Sequence, residues 1–314
     1  MGGWSEADIP NLSGKRILVT GGASGIGFEA ARALAEHGAE IIIADRNEQA
    51  GQATPERIRQ TAPNARVEYR MLDLSSQQAV KDFAAAFAAE GRPLDVLINN
   101  AGIQPISERR TSIDGFELTF GIGHLGHFTL TSLLFPLLKT APEARIVTVA
   151  SLVHARGTFN WDDLQMERGY SSQRPYNQTK LANLLFAREL QRRLDVAGLK
   201  MKSIAVHPGV AQTSIGANRK QLGKFGFGDH VITAILSFVL PFLGQPAAAG
   251  ALPTMFGAAA PEAQGGKFYG PKGFGEMKGP PGLAKIGGLG RDMEAAKKLW
   301  AVTEELTGVK FEVR

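Results

Sequence analysis

Two residues in this sequence are spaced for proton transfer. Tyr176 and Lys180, in the run YNQTK, open a stretch of helical patterning from Tyr176 to Leu194, so a helix carries both side chains on one face. A free phenol ionises near pH 10 and is a poor base at neutral pH. A neighbouring ammonium favours the phenolate, each unit of depression representing about 1.4 kcal/mol. A tyrosine so placed can exchange a proton with an alcohol or a carbonyl. Far upstream, the turn Thr20-Gly21-Gly22-Ala23-Ser24-Gly25-Ile26-Gly27 follows the apolar run Arg16 to Thr20 and opens another helical pattern. Where a strand feeds a helix N-terminus, glycines let the backbone approach a pyrophosphate, and the free N–H groups and helix dipole favour its charge. A proton-exchanging pair combined with a pyrophosphate cradle points to redox chemistry.

The elements that must position these groups alternate along the chain. Strand candidates fall at 16–20, 41–45, 67–72, 94–98, 145–150 and 201–206, with helical patterns between them. The first helix pairs Ile26, Ala30, Ala33 and Leu34 on one face and stops at Gly38. Such repetition implies an α/β fold with a doubly wound parallel sheet of Rossmann type. The 314 residues suit a single domain, taken as 14–314 behind an N-terminal extension of 1–13, with a substrate-pocket segment at about 210–290. Residues 231–243, VITAILSFVLPFL, form an apolar block shorter than the roughly 20 residues a membrane span needs. A buried helix or pocket wall is the leading reading of this block, and contact with a membrane surface the lesser one. Residues 265–290 are crowded with Gly and Pro and read as a loop.

Composition narrows the partners. The net charge is +5, but Lys and Arg are interspersed with acids and form no stripe, so nucleic acid is not expected as a partner. The absence of cysteine excludes disulfides, thiolate metal sites and a thiol nucleophile, and favours a reducing compartment. No histidine pair has metal-ligand spacing beside a carboxylate, so no metal is expected. His124 and His127 read as packing or subunit-contact residues, His154 as a weaker candidate to face substrate, and His207 as a maker of a structural hydrogen bond. The start MGGWSEADIP lacks the order of a secretory signal and carries Glu6 where a myristoylation motif wants Ser or Thr, so a cytoplasmic protein is expected.

Three motifs in order, TGGASGIG at 20–27, NNAG at 99–102 and YNQTK at 176–180, resemble the short-chain dehydrogenase/reductase family over nearly the whole chain from about residue 14. The resemblance implies cofactor contacts from Gly21, Ser24, Gly25, Ile26, Gly27, Asn99, Ala101 and Gly102. It also implies contacts from Asp73 and Leu74 in LDLS near adenine, and from Pro208, Gly209 and Thr213 around the nicotinamide amide. Ser151 matches the family's substrate-orienting serine, Tyr176 its acid/base, and Lys180 the residue that lowers the tyrosine pKa and binds the nicotinamide ribose. Ser151 precedes Tyr176 by 25 residues, about twice the family's usual interval, and the insert HARGTFNWDDLQ resembles the retinol dehydrogenase-like branch. FGIGHLGHF departs from the family in one place: Gly123 stands where a catalytic asparagine is expected.

The implied cofactor is NAD(H). Asp45 ends the second strand about 20 residues beyond the glycine turn, where a carboxylate accepts hydrogen bonds from a ribose 2′-hydroxyl and repels a 2′-phosphate. Adjacent Arg46 keeps NADP(H) open, while uncharged Ser24 favours NAD. The expected substrate is a small hydrophobic alcohol or its carbonyl, held by Phe225, Phe227, Ile232, Ile235, Phe238, Val239 and Phe242. Homodimers or homotetramers are expected through helices at 113–139 and 176–195. Two other readings stand beside the oxidoreductase: a low-turnover dinucleotide-binding scaffold or sensor, motivated by Gly123, and an epimerase or lyase on the same fold.

Overall fold

The computed structural model describes residues 3–212 and 245–314. Six strands, β1 (Arg16–Thr20), β2 (Glu40–Asp45), β3 (Val67–Met71), β4 (Val96–Asn99), β5 (Arg145–Val149) and β6 (Lys202–Val206), lie within two residues of the apolar runs that predict them. They are parallel, in the order β6-β5-β4-β1-β2-β3. The order reverses between β1 and β4, which opens a crevice at the carboxyl ends of those strands.

Alternation along each strand feeds two cores. Ile17 and Val19 of β1 join one cluster, and Leu18 between them joins the other. Helices α1 (Gly25–Glu36) and α2 (Glu48–Arg59) contribute to the first, and α3 (Gln77–Ala88) to the second. Caps fix their starts: Asn47 accepts the Ala50 N–H at 3.0 Å, and Ser76 accepts that of Ala79 at 3.2 Å. After α1 the chain turns at Gly38, whose φ of +95° suits glycine.

The helix expected over 113–139 is broken. Buried Glu117 caps a single turn, α4 (Leu118–Phe120), by accepting the Phe120 N–H at 2.8 Å. A π turn over Gly121–Leu125 follows, in which the Gly126 N–H reaches back to the Gly121 carbonyl, and then α5 (Gly126–Thr140). Tyr176 and Lys180 lie in α6 (Gln173–Val196).

Beyond β6 come the short pair β7 (Ala211–Gln212) and β8 (Gln245–Pro246), then α7 (Ala247–Ala259) on the α1 side of the sheet. Residues 265–290 are not the loop their composition suggests. β9 (Phe268–Pro271) pairs parallel with β6 and antiparallel with β10 (Pro281–Leu283), extending the sheet to eight strands among the described residues. Gly270 serves a close approach here, since an ideal Cβ would collide with the buried His207 imidazole. Finally α8 (Met293–Thr307), capped by Asp292, packs on α5 and α6. Trp300 of α8 lies 5.1 Å from Phe128, 5.8 Å from Phe186 and 4.9 Å from Phe311, ring centre to ring centre. Part of the surface of α5 and α6 is thus covered by α8 within the chain. Among the described residues no helix is long and apolar enough to cross a membrane. The block 231–243 and the expected pocket residues from Phe225 to Phe242 lie outside the described residues, as does Thr213.

Candidate active site

The glycine turn closes on the β4 end through a few buried atoms. Gly21 has φ +64°, and an ideal Cβ there would fall 2.9 Å from Ala101 Cα. At Gly27 it would fall 2.5 Å from Asn100 Nδ2 and collide with the Gly21 carbonyl. Asn100 Nδ2 donates to the carbonyls of Thr20 at 2.8 Å and Gly21 at 3.2 Å, and Thr20 Oγ1 accepts the N–H groups of Asn100 at 2.9 Å and Ala101 at 3.0 Å. Ser24 makes no side-chain cap on α1, which leaves the first helical N–H groups to an anion. Ile26 packs toward α7, 3.6 Å from where a Gly250 Cβ would stand.

Asp45 lies beside this turn. Its carboxylate accepts the Ala23 N–H at 3.3 Å and the Asn47 N–H at 2.9 Å. Arg46 is exposed. Arg57 stands closer to the turn, donating to the Ala23 carbonyl at 3.1 Å and stacking 4.0 Å over Phe28, so its guanidinium is already engaged. Asp73 accepts both the N–H and the hydroxyl of Ser75, and buried Leu74 places its carbonyl against Gly126, where a Cβ would come within 2.5 Å. The Asn99 side chain donates to Thr131 Oγ1 at 2.9 Å, facing α5. Next to it, Asn100 makes the turn contacts.

The catalytic candidates converge from β5 and α6. Ser151 follows β5 and caps a 3-10 turn over Leu152–Arg156. Burial pushes the Tyr176 phenol above its ordinary value, and the nearby Ser151 side chain opposes the shift. Lys180 is buried, its Nζ donating to the Val149 carbonyl at 3.0 Å and lying 5.7 Å from the centre of the Tyr176 ring. Burial lowers its pKa to about 8. Burial, rather than the depression by lysine that spacing suggests, governs the tyrosine. The Gly102 backbone passes close to the lysine, with an ideal Cβ 3.8 Å from Nζ. His154 does not face the cleft freely: Nδ1 donates to the Ser151 carbonyl at 2.7 Å, and Nε2 accepts the Gly287 N–H at 3.1 Å. His207 makes the expected structural bond, accepting the Gly209 N–H on Nδ1 at 3.2 Å. Gly209 has φ +65°, and the carbonyl of Pro208 accepts Gln245 Nε2 at 2.8 Å.

The sequence profile of the short chain dehydrogenase family matches residues 15–222, two thirds of the chain. The chain belongs to that family. It is 36% identical over 303 residues to mouse retinol dehydrogenase 12, spanning 96% of this chain and 89% of that protein. It is 37% identical to zebrafish polyprenol dehydrogenase, spanning 96% and 90%. A crystal structure of a Mycobacterium Paratuberculosis protein superimposes with a TM-score of 0.80 at 35% identity, covering 99% of both chains. This short chain dehydrogenase is an alcohol oxidoreductase of the retinol dehydrogenase-like branch that uses a nicotinamide dinucleotide.

In this short chain dehydrogenase the residues fit such a cofactor, because the cradle between Gly21, Gly27 and Ala101 is one that any Cβ would fill. Position 123 is closed in the opposite sense. An ideal Cβ on Gly123 would fall 2.5 Å from Thr179 Cγ2, and the threonine is held in that rotamer by donation to the Pro175 carbonyl at 2.7 Å. The missing asparagine is thus matched by a methyl group from α6. Thr20, Asn100 and His127 are members of this site to which sequence reasoning gave no role in it; His127 was read as a packing or subunit-contact residue, and Thr20 only as the start of the glycine turn. Asn100 was legible as the second residue of NNAG.

Proposed function

We propose that the enzyme interconverts a hydrophobic alcohol and its ketone or aldehyde with NAD(H), Tyr176 exchanging the proton. The observation that carries the reading is the convergence of Tyr176, Ser151 and Lys180 beside the Gly102 backbone, at the end of the crevice lined by the glycine turn. When bound, the dinucleotide supplies or accepts the hydride at the substrate carbon. Tyr176 gives its phenolic proton to the carbonyl oxygen in reduction and takes the hydroxyl proton in oxidation. Ser151 holds that oxygen and the phenol in line. Lys180, on the tyrosine's face of α6, supplies charge next to the segment where the nicotinamide ribose would lie.

Gly21, Ser24, Gly25, Ile26 and Gly27 would hold the pyrophosphate, Asp73 and Leu74 the adenine, and Ala101, Gly102, Pro208, Gly209 and Thr213 the nicotinamide half, while the Asn99 side chain is turned to Thr131 of α5. Asp45 supports the choice of NAD. Its carboxylate is oriented by the Ala23 and Asn47 N–H groups at the turn, ready to accept from a 2′-hydroxyl. The named activities of the relatives, on retinol and on polyprenol, support a bulky apolar substrate.

The test is a turnover assay with both nicotinamide cofactors and apolar alcohols and ketones of increasing bulk. Turnover with kcat/KM higher for NADH than for NADPH, and KM falling as apolar bulk grows, is expected. NADPH equal to or better than NADH would remove the Asp45 assignment. Tight NADH binding with no turnover across the panel would favour the sensor reading.

A further inference from the structure

We infer that His127 is a positioning residue that ties the cofactor turn to the catalytic helices through the two nitrogens of one imidazole. Its ring is almost wholly buried, 1% exposed, between α5 and the end of β1. On one side Nδ1 lies 3.1 Å from the Gly123 carbonyl oxygen, and on the other Nε2 lies 2.9 Å from Thr20 Oγ1. A carbonyl can only accept, so Nδ1 carries the proton and Nε2 is the acceptor. Thr20 fits this assignment. Its oxygen already accepts the N–H groups of Asn100 and Ala101, so its hydroxyl hydrogen is free to be given to Nε2, a closer partner than the Ile98 carbonyl at 3.2 Å. The bonds then run one way, from the Asn100 and Ala101 amides through the Thr20 hydroxyl and the imidazole to the Gly123 carbonyl, with each ring nitrogen paired.

The chain requires a neutral imidazole, and the site maintains one: burial lowers the His127 pKa to about 4, and the nearby Lys180 charge acts in the same direction. What it fixes is specific to this protein. Gly123 lies in a π turn and has no side chain to orient it, and its Cα faces the Thr179 methyl, one residue before Lys180. A ring that holds the Gly123 carbonyl therefore sets the surface against which the start of the Thr179–Lys180 segment rests. By its other nitrogen it holds Thr20, the residue on which the glycine turn and the Asn100–Ala101 segment meet. One side chain so placed affects cofactor affinity through one atom and the chemical step through the other.

The two arms can be cut separately. In His127→Asn the amide nitrogen stands near the Nδ1 position and keeps the Gly123 arm; in His127→Gln the amide oxygen reaches the Nε2 position, accepts from the Thr20 hydroxyl and keeps that arm; His127→Phe keeps the ring volume and neither arm. The readouts are Kd for NADH and NADPH by fluorescence, which needs no substrate, and kcat with an alcohol or ketone that the wild type turns over. Circular dichroism and Tm monitor folding. The Asn variant is expected to weaken NADH about tenfold with kcat within about threefold of wild type, the Gln variant to show the reverse, and the Phe variant to lose both, in keeping with one buried hydrogen bond per arm. Equal Kd and kcat losses in all three, or a Tm decrease with Kd and kcat unchanged, would reduce His127 to packing and overturn the proposal. Should the Phe variant fail to fold, the opposite behaviour of Asn and Gln still decides. The kcat arm rests on the proposed redox activity; the Kd arm does not. An inactive wild type would refute that activity, while NADH affinity unchanged in the Asn variant would refute the role of His127.

Discussion

Along the glycine turn function is set by atoms that are missing, whereas along α6 and the end of β5 it is set by atoms that are present. Gly21, Gly27 and Gly126 each stand where a Cβ would meet backbone or a buried amide. Ser151, Tyr176 and Lys180 each contribute a polar side-chain group. The first wall therefore fails when atoms are added and the second when they are removed. Gly123 sits at the junction and behaves like the first wall, although the family resemblance would assign it to the second.

The largest effect is expected from removing one oxygen. Tyr176→Phe should lower kcat by roughly 10²- to 10⁴-fold while Kd for NADH stays within about twofold, because the proton donor is lost and the volume is kept. Substantial residual turnover in this variant would undo the assignment and the contrast with it.

Adding atoms at the junction comes next. Gly123→Asn should destabilise the fold by about 1–3 kcal/mol through the Thr179 contact, the usual cost of overpacking a tight site. The glycine's lower helix propensity, roughly 1 kcal/mol relative to alanine, works the other way and does not offset a collision at 2.5 Å. Combining it with Thr179→Ser, which removes the offending methyl and keeps the hydroxyl bonded to Pro175, should recover most of the Tm. Additive losses in the double mutant would show that the two positions are not coupled.

The smallest effect is electrostatic. Lys180 is charged below its lowered pKa of about 8 and neutral above it, so NADH affinity should hold to about pH 7 and weaken severalfold as pH rises past 8. A flat Kd from about pH 7 to about pH 9 would separate Lys180 from the cofactor.

These contrasts also separate what was legible from what was not. Strands β1, β2, β4, β5 and β6 are short apolar runs buried on both faces, and the glycine turn and YNQTK carry their chemistry in local spacing, so each is visible without tertiary information. His127 is invisible by the same method because its partner Thr20 is 107 positions away. β9 and β10 hide behind Gly and Pro that serve close approach rather than a loose turn. Spacing places Lys180 on the face of Tyr176, but it cannot report that the ammonium is directed at the Val149 carbonyl or that burial dominates the phenol.

The cover that α8 places over α5 and α6 has a consequence in time. Met293 follows Val196, the last residue of α6, by 97 positions (293 − 196). At a ribosomal pace of about 5–20 residues per second, Phe186 and Phe128 are made about 6–23 s and about 9–34 s before Trp300, 114 and 172 positions further on (300 − 186 and 300 − 128), exists to cover them. Throughout that interval the nascent chain carries a bare aromatic face, and closing it demands one of the longest-range contacts in the fold. Slowing elongation after residue 196 should therefore increase capture of the nascent chain by chaperones.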